Sequence, residues 1–508
     1  MLLDIFYMHL FKTIYLNFKI NLKYFFKLFF LKINFYSPNI NLLEKSRKNI
    51  LFNTSYHWTF SWFEYGLMKK LSKDNNVTAL VCDGMEYCEL ETITTTKPLC
   101  ILCSNVTSTL CKSAGASIIK YSELLQNHKD IELIDIITKN NMKHYSKGNL
   151  NSISLQKKKK IALSGYKCKV ISEKVFKNCN FDLSITANGK FIQTGYFMNS
   201  SIKNKINVVT YESFNSPHKM LIDINKSSVD QSIEIKDLQL KTTPNLAFLK
   251  NYALQFQNDQ KLGKITPFLY HNKKAFLNKK EIFQKLNLST NKKNKILLIP
   301  NVTWDSTCLS MDGAFEDIEN WLIKSVYFLK DKDVEIIVRA HPAESKVSFH
   351  LKSNYGVVKL LKDEFGFLKN LKFIDSFEDL DTISLAQHCQ KIVVYSSTIG
   401  IELPLYGIKP ICPVKNYYTG FGFTHDTFTE SMYFESLSFN FKTSKLSEKD
   451  LKNLYKLIYL NKEKGFFDMI ENKNWPIKNI TELKTFSQNK IFNKVIEFAD
   501  FKKSKFEF

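Results

Sequence analysis

Two stretches of this chain carry side chains of the right type and spacing for phosphate chemistry. One is "VRAHPAES", residues 338–345, and the other "VVYSSTIGIELPLYGIKP", residues 393–410. In the first, Arg339 and His341 stand two apart at the end of a β-rich run, with Pro342 blocking simple continuation into helix and Glu344 following. Arg339 is conspicuous because the chain otherwise uses lysine: Arg47 is the only other arginine. A guanidinium offers a planar fork of donors that an ammonium lacks, so Arg339 is expected to bind phosphate or to pair with Glu344 or Glu402 in shaping a site. In the second stretch a strand runs into Ser396, Ser397 and Thr398. Gly400 then allows close backbone approach, and Glu402 is expected to accept hydrogen bonds from a ribose diol. Hydroxyls and free amides at a helix start make a phosphate site, although the same residues also make an ordinary Ser/Thr cap. Together the stretches describe a mono- or diphosphate nucleotide site that needs no metal.

Those residues need strands to end beside one another, and the pattern supplies them. From Asn49 short β-rich runs alternate with helical ones: "NILFNT", then helical "FSWFEYGLMKKLSK", "NVTALVC", "PLCILCSN" read as a strand, "FDLSITANG" and "INVVTYES". The lysines at 157–160 read as a solvated loop. A second series follows residue 294: "KILLIPN", helical "AFEDIENWLIKSVYFLK", "VEIIVRA", "LKFID", helical "DTISLAQHC", "KIVVYS", helical "IGIELPLYG" and "KPICPV". Such alternation predicts α/β architecture, with two Rossmann-like domains facing a cleft and ligands at the carboxyl ends of the strands. The expected boundaries are 1–46 for a basic apolar extension, 47–240 and 295–440 for the two domains, 241–294 for their connection and 441–508 for a helical tail.

Composition narrows the function classes. With 508 residues, 44% hydrophobic and 24% charged, the chain belongs to the folded multidomain class. Its net charge of +23 comes from lysine spread throughout, without zinc-finger spacing, RNP aromatics or an Arg-rich arm, so no nucleic-acid partner is expected. The ten cysteines include one C-x-x-C, Cys100 and Cys103, without a second close pair at zinc-ribbon spacing. Buried thiols in a reducing cytoplasm are expected, and no metal. Residues 1–36 are apolar but broken by lysine. Lys12, Lys19, Lys23 and Lys27 share one helical arc, a pattern that fits a helix at a membrane interface or one packed on the protein's own surface.

The stretches "NVTWDS", "FEDIENWL", "VRAHPAES", "VVYSSTIGIELPLYGIKP" and "YYTGFGFTHD" resemble the bacterial capsule polysaccharide biosynthesis protein family. "VCDGMEYC", "CILC" and "TYESF" continue the resemblance in the first half. Broader relatives of that family are Kdo transferases and His-Pro-containing sialyltransferases of the GT-B glycosyltransferase architecture. The resemblance implies inverting sugar transfer from a nucleotide-activated donor, CMP-linked donors among them, to a glycan or lipid-linked acceptor. It implies donor contacts from His341, Ser396, Ser397 and Thr398, and a general base at Asp83, before Gly84. Relatives often carry two acidic residues there, whereas Cys82 precedes Asp83, so Glu212 is kept as the second candidate base. Asp83-Gly84 is also a common turn dipeptide. Pro404 departs from the small or apolar residue usual in that helix. No cofactor is expected beyond the donor substrate, and the expected location is cytoplasmic, peripheral on the inner membrane or in a capsule assembly complex. Alternatives are a glycerophosphotransferase of teichoic-acid type, a nucleotide-sugar epimerase and a non-catalytic glycan-binding assembly or export factor.

Overall fold

The structure, a computed structural model, describes residues 48–54, 61–88, 97–125, 131–213, 219–240, 243–261, 277–289, 294–345, 353–438, 440–441, 444–468, 487–500 and 505. Residues 1–47, with the basic apolar extension, lie outside these. The chain divides into two units. One comprises Met1–Asn141, Ser154–Val229 and Phe466–Lys503, the other Met142–Ile153, Asp230–Gly465 and Ser504–Phe508.

In the first unit the strands are β1 (Asn49–Thr54), β2 (Asn76–Val81), β3 (Ser117–Lys120), β4 (Leu183–Ala187), β5 (Asn207–Ser213) and β6 (Lys219–Ile224). In the second they are β7 (Asn294–Ile299), β8 (Val334–Arg339), β9 (Leu371–Ile374), β10 (Lys391–Val394), β11 (Ile411–Cys412) and β12 (His425–Asp426). A short β13 (Phe467–Asp468) rejoins the first unit beside β6. The sheet orders are β13-β6-β5-β4-β1-β2-β3 and β12-β11-β10-β7-β8-β9. Counted from the first strand of each unit, both contain the doubly wound order 3-2-1-4-5-6, so each unit has a switch point between its first and fourth strands. The second sheet is parallel throughout; the first is parallel except at one edge, where β6 and β13 are antiparallel. The β5–β6 connection is too short for the crossover that parallel pairing demands.

The sequence predicts most strands because their residues are buried on both faces, as parallel strands require: β8 is buried at all six positions. Helix Ile318–Leu329 begins four residues after its predicted start at Ala314, since the Asp317 carboxylate accepts from Asn320 N at 2.8 Å and caps it. Ile318, Trp321, Leu322, Val326 and Leu329 then form its buried face, and Phe315 packs in the same core ahead of the cap.

Three local expectations are corrected. "CILC" belongs to helix Lys97–Ala114, where Val106, Leu110, Cys111 and Ala114 are buried at 3–4 residue spacing. The short apolar run imitated a strand, and only the longer period identifies a helix. The lysines at 157–160 lie in helix Leu155–Asn178, capped by Ser154 Oγ, and form its half-exposed and exposed first turns. The 241–294 region contains helix Leu246–Lys261, whose Ala253 and Phe256 share a core with Leu454, Leu457 and Ile458 in the second unit. The C-terminal helix Ile491–Ala499 packs in the first unit, with the Phe492 and Phe63 rings stacked at 6.1 Å.

Candidate functional site

The donor-type residues of the second unit gather on loops at the carboxyl ends of β7, β8 and β10. After β10 comes Ser396, whose hydroxyl accepts from Asn301 Nδ2 at 3.4 Å. Asn301 lies two residues beyond the end of β7, so this contact joins the loops on either side of the switch point. Cys308 Sγ lies 3.3 Å from the same hydroxyl. Ser397 is buried, and its carbonyl accepts from Tyr418 O–H at 3.0 Å. Thr398 is exposed and opens the following helix without a side-chain cap bond. Of the three predicted hydroxyl residues, Thr398 is thus exposed, Ser396 half-buried and Ser397 packed inward.

That helix is shorter than the sequence suggests. It covers Ile399–Glu402 and gives way to a 3-10 turn over Leu403–Tyr406 with Pro404 in its first positions. Proline lacks the N–H for the next helical bond, while Leu403 before it keeps helical geometry at φ −52° and ψ −43°. A single turn has little aligned dipole, so any anion binding here relies on loop amides and hydroxyls rather than on a helix end. Gly400 also has another use than phosphate approach. A Cβ there would meet the Tyr418 ring at 2.4 Å. Glu402 is buried, within electrostatic reach of Lys462, Tyr417 and Tyr406.

After β8, the His341 ring is fixed by its own turn. Nδ1 accepts from Ala343 N at 3.1 Å, across a 3-10 turn Pro342–Glu344 that has proline at its first position. The neutral ring must then carry its proton on Nε2, which makes that nitrogen a donor. Glu344 is buried against Gly356 and accepts from Val357 N at 3.3 Å; burial pushes its carboxyl up to about 7. Arg339, ending β8, donates to two carbonyls: Nη1 to Asp375 at 2.8 Å and Nη2 to Glu378 at 3.0 Å. Its described bonds go neither to Glu344 nor to Glu402. Desolvation lowers the guanidinium's pKa, opposed by Glu378, Asp379, Asp381 and Asp375. Arginine is needed here because one planar fork closes two carbonyls of the loop after β9.

In the first unit one candidate base follows a strand and the other lies within a different one. Asp83 follows β2 and holds Ser122, accepting from its N–H at 3.0 Å and its hydroxyl at 2.5 Å. Glu212 lies in β5, accepting from Asn188 Nδ2 at 2.8 Å and Ser213 N at 2.9 Å. Both are half-buried. With β4 and β1 between their strands, the two positions are roughly 14 Å apart across the sheet. They are alternatives and do not form a pair. Between them, at this unit's switch point, Asn53 joins three elements: its amide donates to Thr186 Oγ1 at 3.2 Å and Gln193 O at 3.0 Å, and its carbonyl accepts from Tyr121 O–H at 2.8 Å. Sequence reading missed Asn53, Asn301 and Tyr418, whose one signal was position: the asparagines sit at or just past a strand end.

Residues 254–464 match the capsule polysaccharide biosynthesis protein family. The matched part contains both stretches on which the resemblance chiefly rested, and it coincides with most of the second unit. The resemblance to that family is borne out there. Among solved structures, the KpsC β-Kdo 2,4 transferase of Thermosulfurimonas dismutans is similar at 15% identity, covering 55% of this chain and 79% of that one, with a TM-score of 0.33. The calicheamicin glycosyltransferase CalG4 is similar at 10% identity, over 82% of this chain and 95% of that one, with a TM-score of 0.22. UDP-GlcNAc 2-epimerase of Methanocaldococcus jannaschii is similar at 12% identity, over 89% and 99%, with a TM-score of 0.20. No curated protein sequence matches the chain. Among the described residues no helix is long and apolar enough to cross a membrane, and no group of three or more His, Cys, Asp or Glu side chains is arranged to hold a metal.

Proposed function

We propose that this protein is a GT-B-type glycosyltransferase of capsular or surface polysaccharide biosynthesis. It moves a sugar from a nucleotide-activated donor to a glycan or lipid-linked acceptor, with inversion and without a metal, at the cytoplasmic face of the inner membrane. The observation that carries the reading is the contact between Asn301 and Ser396 across the switch point of a doubly wound sheet, with His341 on the adjacent strand end. Ligands of such sheets bind at this point.

The chemistry asks for two things. The departing nucleotide phosphate needs donors, for which His341 Nε2–H, the Ser396 and Thr398 hydroxyls and the loop amides are the candidates. The acceptor hydroxyl needs a base, for which Asp83 and then Glu212 are the candidates.

The test is calorimetric titration of the full chain with CMP, CDP, UDP and GDP, with and without magnesium. Metal-independent binding of one nucleotide, lost in His341→Ala, is the expected result. Binding of none by folded protein would move the reading to glycan binding without turnover. Turnover that delivers phosphate-linked glycerol instead of a sugar would move it to a glycerophosphotransferase. Unchanged transfer in both Asp83→Asn and Glu212→Gln would remove both bases.

A further inference from the structure

Arg339, the cation expected for the phosphate site described above, has its fork closed on two backbone carbonyls. We propose that Lys147 is the cation of that site, holding the anionic phosphate group of the nucleotide donor; the assignment rests on the donor-site reading above.

Lys147 lies almost two hundred residues before Arg339, yet Met142–Ile153 belongs to the second unit. The anchoring is extensive. Lys143 Nζ donates to Asp317 at 2.6 Å and to Glu319 at 2.9 Å. Asn354 donates its backbone N–H to Lys147 O at 2.9 Å and its side-chain amide to Ser146 O at 3.0 Å. Gly148, at φ +89°, lies so close to the loop after β7 that a Cβ would stand 2.7 Å from Thr303 Oγ1. The Lys147 segment is therefore fastened on both sides, to the loop that carries Asn301 and to the loop that follows His341.

The ammonium itself has neutral partners. Nζ stands 3.9 Å from the centroid of the Trp304 ring and 3.4 Å from His144 Nε2. His144 Nδ1 is 3.3 Å from the Trp304 carbonyl, which can only accept, so Nδ1 carries the proton and Nε2 accepts from Lys147. Burial, and then the charge of Lys147, hold the imidazole down at about 4, so it stays neutral when the lysine is charged. The facing carboxylate is Asp305 on the β7 loop. Its Oδ1 is occupied by Thr307 N at 2.9 Å and Thr307 Oγ1 at 2.7 Å, and it makes no ion pair with Lys147 among the described residues. Trp304 in turn donates Nε1–H to Ser353 Oγ at 2.9 Å, which fixes the indole under the ammonium. A half-buried cation with an aromatic face below it and no carboxylate bound is poised to gain from an incoming anion. Desolvation lowers its pKa to about 8, so its charge is lost as pH passes through that value.

The experiment is calorimetric titration of the full chain and of Lys147→Met and Lys147→Arg with CMP, CDP, UDP and GDP at pH 7, 8 and 9, a range in which nucleotide phosphates stay ionised. Thermal melting of each variant confirms folding. The expected result has three parts. Wild-type affinity falls about tenfold from pH 7 to 9, Lys147→Met is about tenfold weaker at pH 7 with a flat profile, and Lys147→Arg keeps affinity with a flat profile. A Lys147→Met protein that binds as tightly as wild type with the same pH dependence overturns the assignment and leaves the donor reading standing. So does a Lys147→Arg protein that retains the wild-type pH profile. A folded wild-type chain that binds none of the nucleotides overturns the donor reading and this assignment together.

Discussion

The Cα of Gly400 lies directly against the Tyr418 ring: a methyl group added there would stand 2.4 Å from Cζ and 2.6 Å from the hydroxyl oxygen. That hydroxyl donates to the Ser397 carbonyl at 3.0 Å, so one aromatic side chain sets the position of the whole Ser396–Gly400 turn. Tyr418 is fully buried and cannot easily give way. Gly400→Ala is expected to cost about 1–3 kcal/mol of stability from overpacking, and to weaken nucleotide binding by moving Ser396 and Thr398. Thermal melting and calorimetry check the two effects. A variant with wild-type stability would mean that the ring shifts freely.

Arg339→Lys separates shape from charge. The ammonium keeps the positive charge but cannot close both carbonyls, of Asp375 and Glu378, with fixed geometry. A loss of about 1–3 kcal/mol is expected, with nucleotide affinity retained in the folded fraction. Denaturant unfolding followed by titration measures both. A large loss of affinity at unchanged stability would return Arg339 to direct phosphate binding.

Glu64 gives a pH prediction for the first unit. It lies in the first turn of helix Ser61–Leu71 with its carboxyl buried, and desolvation pushes it from its ordinary 4.5 up to about 8, opposed chiefly by the Tyr211 hydroxyl. The folded state therefore holds a proton that the unfolded chain releases between these values. Its stabilising contribution is full below about 4.5 and is lost as pH rises through about 8. Glu64→Gln removes that dependence. Wild type should lose about 1.4 kcal/mol per pH unit relative to the variant across the window. Parallel urea-unfolding curves for the two proteins from pH 5 to 9 would contradict this.

Lys143 neutralises two carboxylates at the start of helix Ile318–Leu329. It is buried, while Asp317 and Glu319 are 28% and 20% exposed at their side chains. Lys143→Met leaves two like charges together and should cost about 2–3 kcal/mol, reduced from the fully buried case by that solvent access. Adding Glu319→Gln should recover part of the loss, and a double-mutant cycle with strictly additive terms would show that the pair does not interact.

Sequence by itself determined the local parts. Strands β1, β2, β4, β5 and β7 to β10 were legible because a strand buried on both faces must be a short apolar run, and His341 and Ser396 could be placed at strand ends because the runs stop there. Asp317 capping its helix, and Pro404 splitting the next one, are likewise decided within a few residues. Tertiary structure alone decided the rest. It alone fixed the strand order that makes a switch point, the carbonyls that occupy Arg339, the ring that demands a glycine at 400 and the seating of Lys147 over Trp304. Each of these depends on groups that are distant in sequence and brought together by burial. A periodicity reports which face of an element is apolar, but not which neighbour will cover it.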